Sequence, residues 1–418
     1  MAILLIFLIL LAMVGLPLFI VLGAGGIYAS FESEIDPIVL IIELYRLANQ
    51  PNLITIPLFT LAGMIMAAGG SPKRLVTLFN ALLGWMPGGL AMAAIVSCSF
   101  FTAFTGASGV TIIALGGLLY PLFMQANYSE KFSLGLLTSS GSLGLLFPPS
   151  LAILLYGIVS GTSIDELFLA GIVPGLLLLV MLSLYSYKSA RVWHEPCHPF
   201  SFAKLRSAIN KTKWDIFLPL LVITGIFGGF VTVAEAAAVT AAYALFIETI
   251  IYKEIKLQAD LPKILIDTAT LVGSILIILG VAMGLTNLLI DTQLPTKLLA
   301  LIESHIDSQL QFLLLLNIFL LVIGAMMDIF SAIVVVVPLI MPLALRYQVD
   351  PVHLGILFLA NLEIGYMTPP VGINLFIASQ RFGKDILTLF RAALPFLAIM
   401  LVWLLMISYL PVLTLWWK

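Results

Sequence analysis

Apolar residues run along this chain in blocks too long for the helices of a soluble core. The first occupies residues 1–30 without a charge, Glu32 being the first charged side chain. Further blocks lie near 53–68, 82–121, 132–160, 167–187, 214–250, 264–290, 310–345, 354–379 and 386–413. A membrane-crossing helix takes about 20 predominantly apolar residues, so the blocks predict transmembrane helices, and several exceed one crossing. A signal peptide would open on basic residues and carry a shorter apolar stretch of about 7–15 residues. Residues 1–30 therefore predict a first span that is retained. Segment 37–49 breaks the pattern, with Asp36, Glu43 and Arg46 set among apolar residues. It predicts an amphipathic helix lying in the interface.

Composition turns this pattern into a class. Of 418 residues, 61% are hydrophobic and 10% charged, with a mean hydropathy of +1.16. A soluble domain carries about 25% charged residues, so this chain cannot coat a water-facing surface. It reads as an all-α polytopic membrane protein with room for roughly ten to twelve crossings. A net charge of −2 offers nothing to nucleic acid, and Cys98 and Cys197 sit in no CxxC pair. One long polar stretch remains, residues 188–213. Lys188, Arg191, Lys204, Arg206, Lys211 and Lys213 there face the single acid Glu195. Short basic loops stay in the cytoplasm, which predicts a cytoplasmic connector.

The two halves repeat. At an offset of 221, Pro121 falls on Pro342, Pro148 on Pro369, Pro149 on Pro370 and Pro174 on Pro395, while Gly63 falls on Gly284 and Gly144 on Gly365. About half a Pro–Pro coincidence is expected at one offset by chance, so four indicate duplication. The expected organisation is a first repeat over 1–187, the connector over 188–213 and a second repeat over 214–418. Repeats with an odd number of crossings are inverted, a pattern of secondary transporters whose substrate site lies at the midplane.

Each repeat carries a helix that cannot run straight. Gly141 to Ser150 and Ile364 to Gly372 each contain a Pro–Pro pair among glycines. Prolines remove backbone donors and clash with the preceding turn, and they push the residue before them out of the helical region. Broken helices are therefore expected near 132–160 and 354–379. Lipid cannot satisfy the freed carbonyls, so the breaks must face protein or a polar cavity. Unwound carbonyls suit Na+, and the N-terminal end of the following half-helix suits an anion.

Upstream of each break stands a second polar interruption, Ser97 to Gly109 in the first half and Gly324 to Asp328 in the second. Each predicts the tip of a re-entrant hairpin, near 92–121 and near 310–345. Asp328 is the leading acidic candidate, because a carboxylate in an apolar run marks an ion or substrate path. Glu235 and Glu363 are further candidates of that kind.

Rival chemistries leave weaker traces. His194-Glu195-Pro196-Cys197-His198 spells the H-E-x-x-H of zinc proteases, which needs both histidines on one helical face. Pro196 and Pro199 oppose that helix. An intramembrane aspartyl protease would need a second membrane aspartate beside Asp328. An ATP-driven pump would need G-x-x-x-x-G-K-[ST], which is absent. A channel fits the composition, but paired broken helices favour alternating access. The chain is expected not to be an enzyme.

Across nearly its whole length the sequence resembles the large membrane (M) subunit of tripartite ATP-independent periplasmic (TRAP) transporters, the DctM-like family. The resemblance is carried by Ile56-Pro57-Leu58-Phe59-Thr60-Leu61-Ala62-Gly63, Pro87-Gly88-Gly89-Leu90-Ala91, Pro148-Pro149-Ser150 and Leu167 to Gly175. Glu235-Ala236-Ala237-Ala238 and Thr368-Pro369-Pro370-Val371-Gly372-Ile373-Asn374-Leu375 complete it. The resemblance implies an elevator-type, Na+-driven permease of the bacterial inner membrane for organic acids such as C4-dicarboxylates or sialic acids. Its partners would be a small four-helix membrane subunit, expected as a separate chain, and a periplasmic substrate-binding protein. Carried over by motif, one Na+ site would use Thr102, Thr105, Gly144, Phe147 and Pro149, and the other Gly324, Gly365, Thr368 and Val371. Ser108, Ser150, Asp328 and Asn374 are the substrate or coupling candidates. Where the family shows Ser-Gly-Ser-Ser at the first tip, this chain has Thr105-Gly106-Ala107-Ser108. The alternative is a direct Na+/dicarboxylate symporter working without a binding protein.

Overall fold

The computed structural model describes residues 16–193, 199–291, 306 and 308–418. Among these the chain is helical throughout, with no strand. Eight helices are long and apolar enough to cross a membrane, and a ninth crossing arises if a pair bent by 46° counts as one. The H-E-x-x-H stretch and residues 1–15, the first half of the expected first span, lie outside the described residues.

In chain order, α1 (Leu18–Glu32), α2 (Ile38–Ala48) and α3 (Thr55–Ala68) are followed by α4 (Ser71–Leu83). A hairpin of α5 (Gly89–Thr105) and α6 (Ser108–Gln125) comes next. Then stand α7 (Glu130–Ser140), α8 (Leu151–Ser160) and the long α9 (Ile164–Trp193). Then α10 (Phe202–Phe227), whose first turns take up the end of the expected 188–213 connector, and α11 (Val233–Ile251) lead to α12 (Leu261–Asp291). A second hairpin, α13 (Gln309–Met326) and α14 (Ile329–Arg346), precedes α15 (Pro351–Gly365), α16 (Ile373–Phe382) and α17 (Ile386–Tyr409).

The offset of 221 reappears in the coordinates. It relates the end of α5 to that of α13, the starts of α6 and α14, their ends at Gln125 and Arg346, and the starts of α7 and α15. It also relates the cis bonds Pro148–Pro149 and Pro369–Pro370. The fold is two repeats, each with a re-entrant hairpin and a broken helix. α2 is only 11 residues long and packs on α12, where an added Cβ at Gly284 would lie 2.6 Å from the Leu40 side chain.

Two sequence expectations are corrected. Glu235 is not a buried carboxylate on an ion path. It closes a capping box with Thr232 at the exposed start of α11, where Thr232 N donates to its Oε2 at 2.8 Å. The first hairpin tip is also narrower than Ser97 to Gly109. α5 runs unbroken to Thr105, and Ser97 and Ser99 donate to the carbonyls of Ala93 and Ile95 one turn back, at 2.6 and 2.8 Å. Helical apolar neighbours leave these hydroxyls no reason to interrupt the helix.

A buried ionic cluster went unforeseen. Arg74 on α4 binds Asp215 of α10 at 2.8 Å and also pairs with Glu248 of α11 and with Glu254. The side chains of Asp215 and Glu248 are fully buried. Both carboxylates depend on Arg74, since removing one partner of a buried ion pair strands the other charge.

Candidate functional site

The four irregular segments converge. In the first repeat, Gly144 lies so close to α5 that an added Cβ would meet the Ser99 carbonyl oxygen at 2.2 Å and the Ala103 nitrogen at 2.5 Å. Thr102 Oγ1, at the same contact, is 2.8 Å from the carbonyls of Cys98 and Gly141 and 2.6 Å from the Thr111 hydroxyl. Gly106 turns the tip with φ +65° and touches Leu151 at the start of α8. Flanking that touch, Thr105 Oγ1 and Ser150 Oγ are buried without a hydrogen-bond partner. An orphaned buried hydroxyl costs about 1–3 kcal/mol, so these two oxygens suit a bound cation.

The second repeat mirrors this. An added Cβ at Gly365 would meet the Gly324 carbonyl carbon at 2.4 Å. Val371 N and Gly372 N both donate to the Ala325 carbonyl, at 3.0 and 3.2 Å. Thr368 Oγ1 donates to Ile364 O at 3.1 Å, and Thr368 N to Gly365 O at 2.9 Å. The two breaks differ in cover. Pro148, Pro149 and Ser150 are buried, whereas Pro369, Pro370 and Val371 are exposed. The difference traces to α9, whose Gly171 and Gly175 come up against Leu146 and the Phe147 ring.

A bond between the repeats ties the first tip to the second break, and others fix the second tip within its own repeat. Ser108 Oγ donates to Asn374 Oδ1 at 2.7 Å, leaving the buried Asn374 Nδ2 without a partner. Ile329 N donates to the Tyr366 hydroxyl. Asp328 caps α14: its Oδ1 accepts from Phe330 N and Ser331 N at 3.0 Å each, and Ser331 Oγ donates to its Oδ2. At the matched position, Ala107 has no side chain to cap α6.

Between the tips lies a cavity of about 380 Å³, lined by Ser108, Asp328, Tyr366, Ile373 and, from α12, Ser274 and Ile275. Among the described residues no Lys, Arg or His lines it. Apart from Glu235, the candidates from the sequence fall on or beside these tips and breaks. Ser274 was missed, since a serine in the apolar run of α12 carries no local signal. The candidate ligands are oxygens, which suits a hard cation such as Na+. Among the described residues no group of three or more His, Cys, Asp or Glu is placed to hold a metal.

Residues 4–413 match the family described as the tripartite ATP-independent periplasmic transporter, DctM component. The chain belongs to this family. It is 36% identical over 377 residues to the C4-dicarboxylate TRAP transporter large permease protein DctM of Pseudomonas aeruginosa, covering 90% of this chain and 88% of that one. It is 32% identical to the ectoine TRAP transporter large permease protein TeaC of Halomonas elongata, covering 93% and 91%. The YdaH transporter of Alcanivorax borkumensis shares the fold, with a TM-score of 0.61 at 15% identity over 88% of this chain and 86% of that one. The DctM-family chain is thus a TRAP large permease subunit, a multi-pass inner-membrane protein and not an enzyme. Its family implies a periplasmic binding protein and a small membrane subunit as partners.

Proposed function

We propose that this permease takes up an organic acid, handed over by its periplasmic binding protein, in symport with Na+. The observation that carries the reading is the convergence of two matched breaks and two hairpin tips around one cavity, with orphaned oxygens at Thr105 and Ser150. One Na+ binds among Thr102, Thr105, Gly144, Phe147 and Pro149, and another among Gly324, Gly365, Thr368 and Val371. Each site joins a hairpin to a broken helix, so ion binding fixes the tips and completes the substrate site between Ser108, Asp328 and Asn374.

A carboxylate substrate follows from the electrostatics of this arrangement. Among the described residues the charged side chain lining the cavity is the anionic Asp328, but the N-terminal ends of α6 and α14 open on it and the two Na+ ions beside it would offset that charge. Relatives are named for C4-dicarboxylates and for ectoine, and the substrate is drawn from small organic acids of this kind. The unit bearing the hairpins and broken helices moves as an elevator against the remaining helices and the small subunit.

The test is uptake of labelled organic acids into proteoliposomes holding both membrane subunits, with and without an inward Na+ gradient and the binding protein. Uptake requiring both supports the reading. Uptake that needs Na+ alone is the behaviour of a direct symporter, and flux indifferent to both is that of a channel.

A further inference from the structure

α4 and the first turns of α10 do not close on one another. They bound a cleft of about 620 Å³ lined by Thr77, Asn80 and Trp85 on one side and by Lys204, Ser207 and Lys211 on the other. Lys204, Ser207 and Lys211 recur at spacings of three and four, which puts them on one helical face. No acidic side chain among the described residues lines the cleft. Among the described residues, Lys204, Arg206 and Lys211 have no ion-pair partner.

The mouth is aromatic. Trp85 packs edge-on against Phe200 at 6.3 Å, and both are about half exposed, while nearby Phe202 is 71% exposed. α10 turns apolar after Lys213, whose ammonium lies 5.4 Å from the Trp214 ring. Aromatic side chains at such a boundary mark the headgroup level, and the excess of Lys and Arg places this end in the cytoplasm. Beneath the cleft, Thr212 Oγ1 donates to the Arg74 carbonyl at 3.2 Å, next to the buried ionic cluster.

We propose that this cleft binds the headgroup of an anionic phospholipid of the cytoplasmic leaflet. Its phosphate sits between Lys204 and Lys211, its polar glycerol portion meets Asn80 and Ser207, and its chains leave past Trp85 and Phe200. Charge complementarity selects the occupant: unpaired lysines at headgroup depth, with an apolar exit, match an anionic lipid. The lipid joins α4, which leads from α3 into the first hairpin, to α10, and so braces the base on which that hairpin rests.

The experiment is native mass spectrometry of the full two-subunit complex with added phosphatidylglycerol or phosphatidylcholine. The expected result is a preference of about tenfold for phosphatidylglycerol in the wild type. Lys204→Ala/Lys211→Ala loses the preference, Lys204→Arg/Lys211→Arg keeps it, and Lys263→Ala, outside the cleft, leaves it unchanged. Equal retention of both lipids by the wild type, or an undiminished preference in the double alanine variant, overturns the proposal. Displacement of the lipid by millimolar inorganic phosphate also overturns it, by assigning the cleft to a free anion. Lipid binding is read without transport, so failure here is distinct from failure of the symport reading.

Discussion

Adding one methyl group at either break should loosen the ion site without removing a ligand oxygen. In Gly144→Ala the new Cβ meets the Ser99 carbonyl oxygen at 2.2 Å, and in Gly365→Ala it meets the Gly324 carbonyl carbon at 2.4 Å. Ordinary contact begins near 3.4 Å, so break and hairpin must separate by about 1 Å. The obstructing atoms are backbone and, beside Gly144, also the Thr102 Cβ, none of which can swing aside as the end of a side chain can. Overpacking of this kind costs about 1–3 kcal/mol. At about 1.4 kcal/mol per tenfold, the half-saturating Na+ concentration for uptake rises about 5- to 140-fold in each variant. Gly273→Ala is the control, since nothing lies within 4 Å of its added Cβ. The assay is initial uptake into proteoliposomes across a Na+ series, with thermal unfolding recorded in parallel. A wild-type Na+ dependence in both break variants would refute the reasoning. An equal rise in Gly273→Ala would show that the assay reads stability instead of the site.

Other variants probe single groups. Thr105→Val and Ser150→Ala remove hydroxyls that have no partner, so thermal stability is expected to hold or rise slightly while Na+ affinity falls. Loss of stability with unchanged Na+ affinity would show these groups to be structural. Asp328→Asn keeps an N-cap acceptor for α14 and is expected to assemble normally, with uptake reduced at least tenfold; wild-type rates would remove Asp328 from the substrate path. Arg74→Gln strands the buried Asp215 and Glu248, which predicts about 3–5 kcal/mol of destabilisation in thermal or denaturant unfolding. A change below about 1 kcal/mol would mean that the two carboxylates find other partners.

Much of the fold was legible because proline and glycine act locally. Pro148–Pro149 and Pro369–Pro370 cannot continue a helix in any surroundings, so their offset announced the duplication, and the coordinates keep it at helix ends that carry no proline. The proposed Na+ ligands came from the family resemblance, and they lie on or beside the breaks and tips that small residues and prolines mark. Long-range partnerships were not legible. Arg74 and Glu248 are 174 residues apart, and Glu248 in its apolar run gave no hint of its partner. Glu235 looked like an intramembrane acid because hydropathy does not register that a helix starts at Val233. Ser97 and Ser99 suggested an interruption because composition does not reveal whether a hydroxyl bonds back into its own helix. Ser274 was invisible, since only the packing of α12 over the tips gives it a role.

The most direct test of the central claim is equilibrium binding of radioactive sodium to the purified two-subunit complex, compared among the wild type, Gly144→Ala, Gly365→Ala and the double variant. The account predicts that each single variant weakens one component of the binding curve and spares the other, and that the double variant weakens both. Binding curves superimposable on the wild type in all three variants would contradict it.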